Sequence, residues 1–436
     1  MARKMHLIGF LASGTVDWMG QWRHPAAGPG LLDPGFWDNM GRTLEEAKFD
    51  AAFFADSYIF YGEASVARGG VNYMADPMPL AMSVLRATTR LGVGVTASTS
   101  FNQAFPLART LGTMDVLSGG RMAWNVVASS FDKEAHLFGM DRLLDREARY
   151  DRATEMLEAC LQLWDSFPAD ALIADKGTGR FIDTSRLKSF EFRGQHVNTN
   201  GPLTLPASPQ GHPVIMQAGA SERGRQFAAQ YGEVIFTISN SVAEMQKYYA
   251  DIKRRVAEFG RSPERCKIIP QINVWLGETE QIAQDRLAYA ETLLDDDVAI
   301  EWTASSTGVD LLSVSPDSTL SSLPGTHEGS TGYRQRLEAV QRDAGRELTI
   351  RELARLFCLR GQPNVIGTPE QVADRMQEIF EAHAADGFML GGSLMPGSHE
   401  DFARMVVPIL QERGLFRTEY PGTTLRDSLF ADSSDV

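Results

Sequence analysis

Short apolar runs recur through the 436 residues at Met5–Phe10, Ala51–Ala55, Leu91–Ala97, Met122–Val127, Val214–Ala218, Val234–Ile238, Ile268–Val274 and Gly387–Leu390. They are apolar almost throughout instead of alternating. Such runs fit strands buried on both faces, as in a parallel sheet covered by helices. Amphipathic stretches follow or separate them at Phe36–Lys48, Leu107–Leu117, Tyr150–Ser166, Glu222–Gln230, Val242–Glu258, Glu278–Leu293, Pro369–Ala384 and His399–Glu412. Eight β-then-α units in one chain predict a (β/α)8 barrel. Local signals agree. Thr368 followed by Pro369 reads as an N-cap with proline at the first helical position, and Gly414 closes the helix that ends near Glu412.

Two segments exceed a minimal barrel. Asp170–Leu205, between the fourth and fifth strands, is polar and hairpin-like. Asp296–Arg351, between the seventh and eighth, is rich in Ser, Thr and Gly. Long loops of this kind are usually lids or disordered. A tail, Phe416–Val436, follows, and its end from Ala431 is expected to be mobile. With no internal repeat or low-complexity linker, residues 1–436 are expected to form one elaborated domain.

Composition narrows the function. The net charge of −14 argues against nucleic acid and against an acidic membrane surface. Cys160, Cys266 and Cys358 are far apart, without a Cys-x-x-Cys pair, and are expected to be reduced in a cytoplasmic protein. The apolar N-terminal run is short and carries His6, so it reads as a first strand and not as a signal peptide. No stretch reaches the roughly 20 apolar residues of a membrane span. The eight histidines lack metal-ligand spacing, so no metal site is expected.

Polar residues at the carboxyl ends of barrel strands are where the chemistry belongs. Asp56 follows the second strand, and Thr96, Ser98 and Ser100 close the third. In Leu117–Glu158 a Gly119-Gly120 turn launches a strand that ends in Asn125, Ser129 and Ser130, and a helix then opens with Arg149 and Tyr150. Asp56 reads equally as a helix N-cap or as a group facing the site. Gly92-Val93-Gly94 lacks the third glycine of a dinucleotide fingerprint and lies inside a strand. The clearest physical signal is Gln217-Ala218-Gly219-Ala220-Ser221, where small residues end a strand and Ser221 opens a helix. Backbone N–H groups and the helix dipole favour an anion there, so this is a candidate phosphate cradle; a plain capped turn is the alternative.

Taken in order, several motifs resemble the luciferase-like flavin monooxygenases, nearest the nitrilotriacetate, pristinamycin and dibenzothiophene-sulfone monooxygenase group. They are Gln21-Trp22-Arg23-His24, Phe54-Ala55-Asp56, Ser118–Val127, Ala148–Ala153, Gln217-Ala218-Gly219, Val365–Pro369, Ala385–Phe388, Phe416–Tyr420 and Thr424–Asp427. The resemblance implies a (β/α)8 barrel that is a homodimer or homotetramer. It implies reduced FMN supplied by a separate NAD(P)H:flavin oxidoreductase. It also implies O2 as co-substrate and transfer of one oxygen atom to a small organic molecule through a flavin C4a-(hydro)peroxide. FMN contacts are implied at Asp56, Thr96, Tyr150 and Ser221, with Asn125 and Gln217 near the ring or ribityl chain. Phe10, Trp18, Phe54 and Phe236 read equally as lining of the substrate pocket and as core packing, and the two insertions would form its lid. The catalytic acid or base is not named by these motifs.

Two positions depart from the family pattern. Arg146 stands four residues before Tyr150, where many members carry His, and is read as a phosphate partner. Ser305-Ser306-Thr307-Gly308 stands where the sulfone-oxidising branch has a His before Thr-Gly. The same barrel also hosts coenzyme F420-dependent reductases, and a non-catalytic flavin carrier is a further alternative.

Overall fold

The computed structural model describes residues 3–12, 20–28, 30, 33–70, 75–219, 221–239, 241–322, 331–360 and 363–431. Eight parallel strands close on themselves: β1 (His6–Ala12), β2 (Ala51–Ala55), β3 (Gly92–Ser98), β4 (Met122–Val127), β5 (Val214–Gln217), β6 (Val234–Thr237), β7 (Lys267–Leu276) and β8 (Gly387–Gly391). Each pairs with the next, and β8 returns to β1 with Gly387 opposite His6. This is the (β/α)8 barrel expected from the apolar runs.

Alternate residues fill its interior. Phe10, Phe53 and Phe236 meet there, with centroids 6.0 Å apart for Phe10–Phe53 and 4.6 Å for Phe53–Phe236, beside Met216 and Met389. Phe54 has the opposite parity. It faces the helix layer and packs on Trp37 at 5.5 Å, so it does not line the lumen. Trp18 lies outside the described residues.

The covering helices include α1 (Pro34–Glu46), α2 (Pro77–Ala87), α3 (Ala104–Ser118), α4 (Arg146–Asp165), α5 (Glu222–Tyr231) and α6 (Val242–Glu258). Helix α2 is absent from the sequence expectation; Asp76 caps it and Pro77 opens it. The predicted helix His399–Glu412 is broken at Val406 into Gly397–Met405 and Val407–Glu412. Pro408 supplies no N–H and its ring clashes with the preceding turn. Thr368 forms a full capping box with Gln371, and Gly414 has φ 69°.

The early insertion does form two hairpins, Leu172–Asp175 with Arg180–Ile182 and Glu191–Arg193 with Asn198–Asn200. The second hairpin packs on α3 and α4, outside the barrel. The late insertion corrects the expectation of an irregular loop. It contains the helices Asp296–Thr307, Thr331–Asp343 and Ile350–Arg360 around a second apolar core. A further short strand, Asn364–Gly367, then pairs with the distal half of β7.

The tail holds a helix that its sequence does not announce, and residues 432–436, where mobility is expected, lie outside the described residues. The helix Leu425–Phe430 buries Leu425, Leu429 and Phe430 against the barrel interior. Arg426 pairs with Glu233 at 2.8 Å, and Leu425 N–H donates to Gly120 O. The helix plugs the amino-terminal end of the barrel. The Ser118-Gly119-Gly120-Arg121 motif works at that end too. The buried Arg121 guanidinium donates to the carbonyls of Leu85, Thr88, Leu91 and Ser118 and to Thr88 Oγ1. The motif therefore ties strand starts to helix ends and leaves the opposite rim for chemistry.

Candidate active site

At the carboxyl rim, β3 and β4 place Thr96 and Asn125 directly opposite one another. Asn125 Nδ2 donates to Thr96 Oγ1 at 3.0 Å. The Asn125 carbonyl oxygen Oδ1 is buried and has no partner. Gln217, at the end of β5, likewise buries an unpaired Oε1. Its parity opposes that of Met216, so its amide lies against Gly219, where an added Cβ would come within 2.6 Å of both terminal atoms. Buried polar atoms without partners are uncommon in folded proteins and call for a ligand or ordered water.

Beyond Gln217 the chain turns into α5. Ser221 is its N-cap, and Ser221 Oγ accepts from Gly224 N–H at 3.1 Å. A Cβ on Gly224 would lie 2.9 Å from Tyr150 Oη, 3.1 Å from Gly219 Cα and 3.1 Å from Ser221 Oγ. Two glycines, a serine hydroxyl and a tyrosine hydroxyl thus converge on one helix N-terminus. Tyr248 Oη donates to Gly219 O at 2.9 Å and holds the turn from behind. The arrangement suits an anion, because backbone donors and the helix dipole point into it while nothing bulkier than hydrogen occupies the glycine positions. Arg223 and Arg225 flank it but already pair with Asp151 and Asp251. Arg146 is exposed at the start of α4, one turn before Tyr150.

Asp56 follows β2 at the same rim. It caps no helix: Gly62 and Asp76 are the N-caps that follow. Burial, then the charges of Asp76 and Glu134, push its carboxyl up to about 7, against a smaller opposing bond from Ser57 N–H. Glu134 is buried in the short helix Asp132–Leu137 that follows β4, and burial raises its carboxyl as well. Ser129, at φ 50°, sets the loop between β4 and that helix, and its hydroxyl lies 2.9 Å from Ser98 Oγ. Sequence reasoning missed Glu134, because its six-residue helix is too short and polar to carry a periodic signal. It also missed Asn273, whose buried Oδ1 has no partner. Its polar side chain within the apolar run of β7 was the available signal.

The mouth is covered from one side. The late-insertion helix Asp296–Thr307 packs on the short helix Glu63–Arg68, and Arg68 bridges Asp295 and Asp297 at 2.6 and 2.9 Å. Arg23, in the loop after β1, donates to Leu293 O. The early insertion packs alongside, where Arg152 donates both to His196 O of its second hairpin and to Thr99 O and Asn102 O after β3. At the departure point, Ser305 Oγ donates to Tyr61 O, Ser306 Oγ to Trp302 O and Thr307 Oγ1 to Thr303 O. Backbone carbonyls therefore occupy all three hydroxyls.

A family model described as luciferase-like monooxygenase matches residues 18–386. The chain belongs to this family. The luciferase-like monooxygenase described here is 39% identical over 437 residues to dibenzothiophene-sulfone monooxygenase of Rhodococcus erythropolis (strain XP), covering 98% of this chain and 96% of that one. It is 36% identical to nitrilotriacetate monooxygenase component A of Aminobacter aminovorans, covering 98% and 97%. Among solved structures, riboflavin lyase with modified FMN and riboflavin superposes with a TM-score of 0.89 at 31% identity, covering 99% and 96%. Membership makes this luciferase-like monooxygenase an enzyme of the flavin-dependent monooxygenase class. Among the described residues, no helix is long and apolar enough to cross a membrane, and no three His, Cys, Asp or Glu side chains gather as a metal site.

Proposed function

We propose that this luciferase-like monooxygenase is the oxygenating component of a two-component system. It would take reduced FMN from a separate NAD(P)H:flavin oxidoreductase and use O2 to oxygenate a small organic substrate. The observation that carries the reading is the convergence of Gly219, Ser221, Gly224 and Tyr150 at one helix N-terminus, beside the unpaired buried oxygens of Asn125 and Gln217. These residues fit FMN: an anion cradle for the phosphate, and carbonyl acceptors for the N–H and hydroxyl donors of the ring and ribityl chain. Bound reduced FMN would supply the O2 activation and the oxygen transfer.

The protein's part is positioning and exclusion of water. Ser221 and the first turn of α5 would hold the phosphate, with Tyr150 closing one side and Arg146 at the start of the helix that carries Tyr150. Thr96 holds the Asn125 amide, whose carbonyl would accept from the flavin. Asp56, whose carboxyl burial pushes up to about 7, can in its neutral form donate a hydrogen bond at the mouth, and the late insertion would keep solvent out. The name "component A" of the nitrilotriacetate relative supports a partner reductase. The whole chain is taken as one functional domain, assembled as a homodimer or homotetramer.

Anaerobic titration with reduced FMN, followed by rapid mixing with air-saturated buffer, tests the reading. Expected are binding and an oxidation of the bound flavin slower than that of free reduced flavin. Absence of binding would overturn it.

A further inference from the structure

The late insertion builds its own small core, and within it lies a cation that has no counter-ion among the described residues. Arg336, on the helix Thr331–Asp343, sets its guanidinium 4.3 Å from the ring centroid of Phe357, 4.7 Å from Tyr333 and 5.9 Å from Trp302. Its Nε and Nη1 are buried and have no hydrogen-bond partner. The ionisable groups that bear on it are Tyr333 and Cys358, with no carboxylate among the described residues. Its neighbours in the same insertion are treated differently: Arg346 pairs with Glu352, and Arg351 and Arg355 both pair with Asp296. In a chain with 56 acidic and 42 basic residues, a half-buried arginine with two buried, unpartnered nitrogens is not explained by a shortage of carboxylates.

The energetics ask for an anion. Taking guanidinium N–H groups out of water without a counter-charge is costly. Contact with aromatic faces returns only part of that cost. The rings do fix the plane of the guanidinium, and its fork of N–H donors matches two oxygens of a carboxylate or sulfonate.

The cage also adjoins the mouth. Tyr61 and Tyr333 both pack on the insertion's core, and the Tyr61 ring also meets Phe131 edge-on at 6.4 Å, at the start of the short helix that carries Glu134. Tyr61 therefore links the insertion's core to the rim of the barrel.

We propose that Arg336 and its cage of Trp302, Tyr333 and Phe357 form an oxyanion subsite that anchors a carboxylate or sulfonate of the organic substrate. This names a substrate class for the function proposed above and rests on it for the oxygenation step; capture of the anion does not.

Calorimetric titration of the full chain without flavin tests it, using benzoate, benzenesulfonate and the neutral isostere benzamide at one ionic strength. Both anions should bind, and benzamide at least tenfold more weakly. Arg336→Met should lose at least tenfold in anion affinity, yet melt at or above the wild type, because a hydrophobe replaces a half-buried charge with unpartnered nitrogens. A structural arginine would behave oppositely, with a lower melting temperature and unchanged affinity. Should the Met variant fail to fold, Arg336→Lys decides: a tenfold loss of benzoate affinity supports the subsite, and unchanged affinity overturns it. Failure of the wild type to bind either anion, or equal binding of benzamide, overturns it as well. Reduced FMN binding should be the same in wild type and Arg336→Met. Loss of flavin binding in the wild type would sink the oxygenase reading and leave the anion subsite standing.

Discussion

Gly224 lies in the first turn of α5, where alanine would ordinarily stabilise a helix by up to about 1 kcal/mol. Its added methyl would point at Tyr150 Oη and Ser221 Oγ. Gly224→Ala should therefore fold normally and bind reduced FMN at least tenfold more weakly, as anaerobic titration would read. Unchanged affinity would move the phosphate elsewhere. Asp56 makes a second prediction at this scale. Its folded pKa of about 7 is above the unfolded value, so its contribution to stability is full below about pH 3.9 and lost as pH rises through 7. Asp56→Asn should melt higher than wild type at pH 8 and close to it at pH 4. The ionised carboxylate also repels an anionic cofactor. Wild-type affinity for reduced FMN should therefore fall as pH passes 7, while the Asn variant keeps only the flavin's own titration.

Among elements, the turn from α3 into β4 is held by Arg121, which satisfies four backbone carbonyls and one hydroxyl. Arg121→Met keeps bulk and removes every donor. Each buried acceptor left unpaired costs about 1–3 kcal/mol. The expected loss is at least about 3 kcal/mol by urea unfolding, with flavin affinity unchanged in the folded fraction. A loss below about 1 kcal/mol would mean that water replaces the guanidinium. The motif is a strong family landmark, yet its arginine sits at the rim opposite the site. A motif can thus mark a family through the scaffold instead of through the chemistry.

For the whole molecule, the barrel's amino-terminal end is closed by a segment that arrives last in the chain. Leu425, Leu429 and Phe430 contribute about 1.5–3 kcal/mol each by burial. Their sum is comparable to the total stability of a typical domain. Ending the chain at Thr423 should abolish cooperative thermal unfolding, whereas Leu429→Ala should fold and lose about 2–5 kcal/mol. A truncated chain that melts like the full one would show that the plug is dispensable. The carboxyl rim is covered independently by the late insertion, so these variants separate stability from catalysis.

The sequence by itself determined the barrel and most of the residues of the candidate cradle, because both are local in sequence. Runs buried on both faces reveal themselves by lacking polar residues, as in Ala51–Ala55. A strand ending in Gln217-Ala218-Gly219 and a serine N-cap lie within a few residues of one another. Asn125 and Thr96 were legible as strand ends, though their hydrogen bond was not. What the tertiary structure alone decided depends on residues far apart in the chain. Phe54, which reads equally as pocket lining or core, is core because one residue of parity separates lumen from helix layer. The late insertion was read as a loop because its helices take their stability from a shared core rather than from strong propensity. The tail became a plug only because the barrel offers an open apolar end. The raised carboxyl of Asp56 and the unpaired guanidinium of Arg336 exist only once other elements remove water and bring, or withhold, a counter-charge.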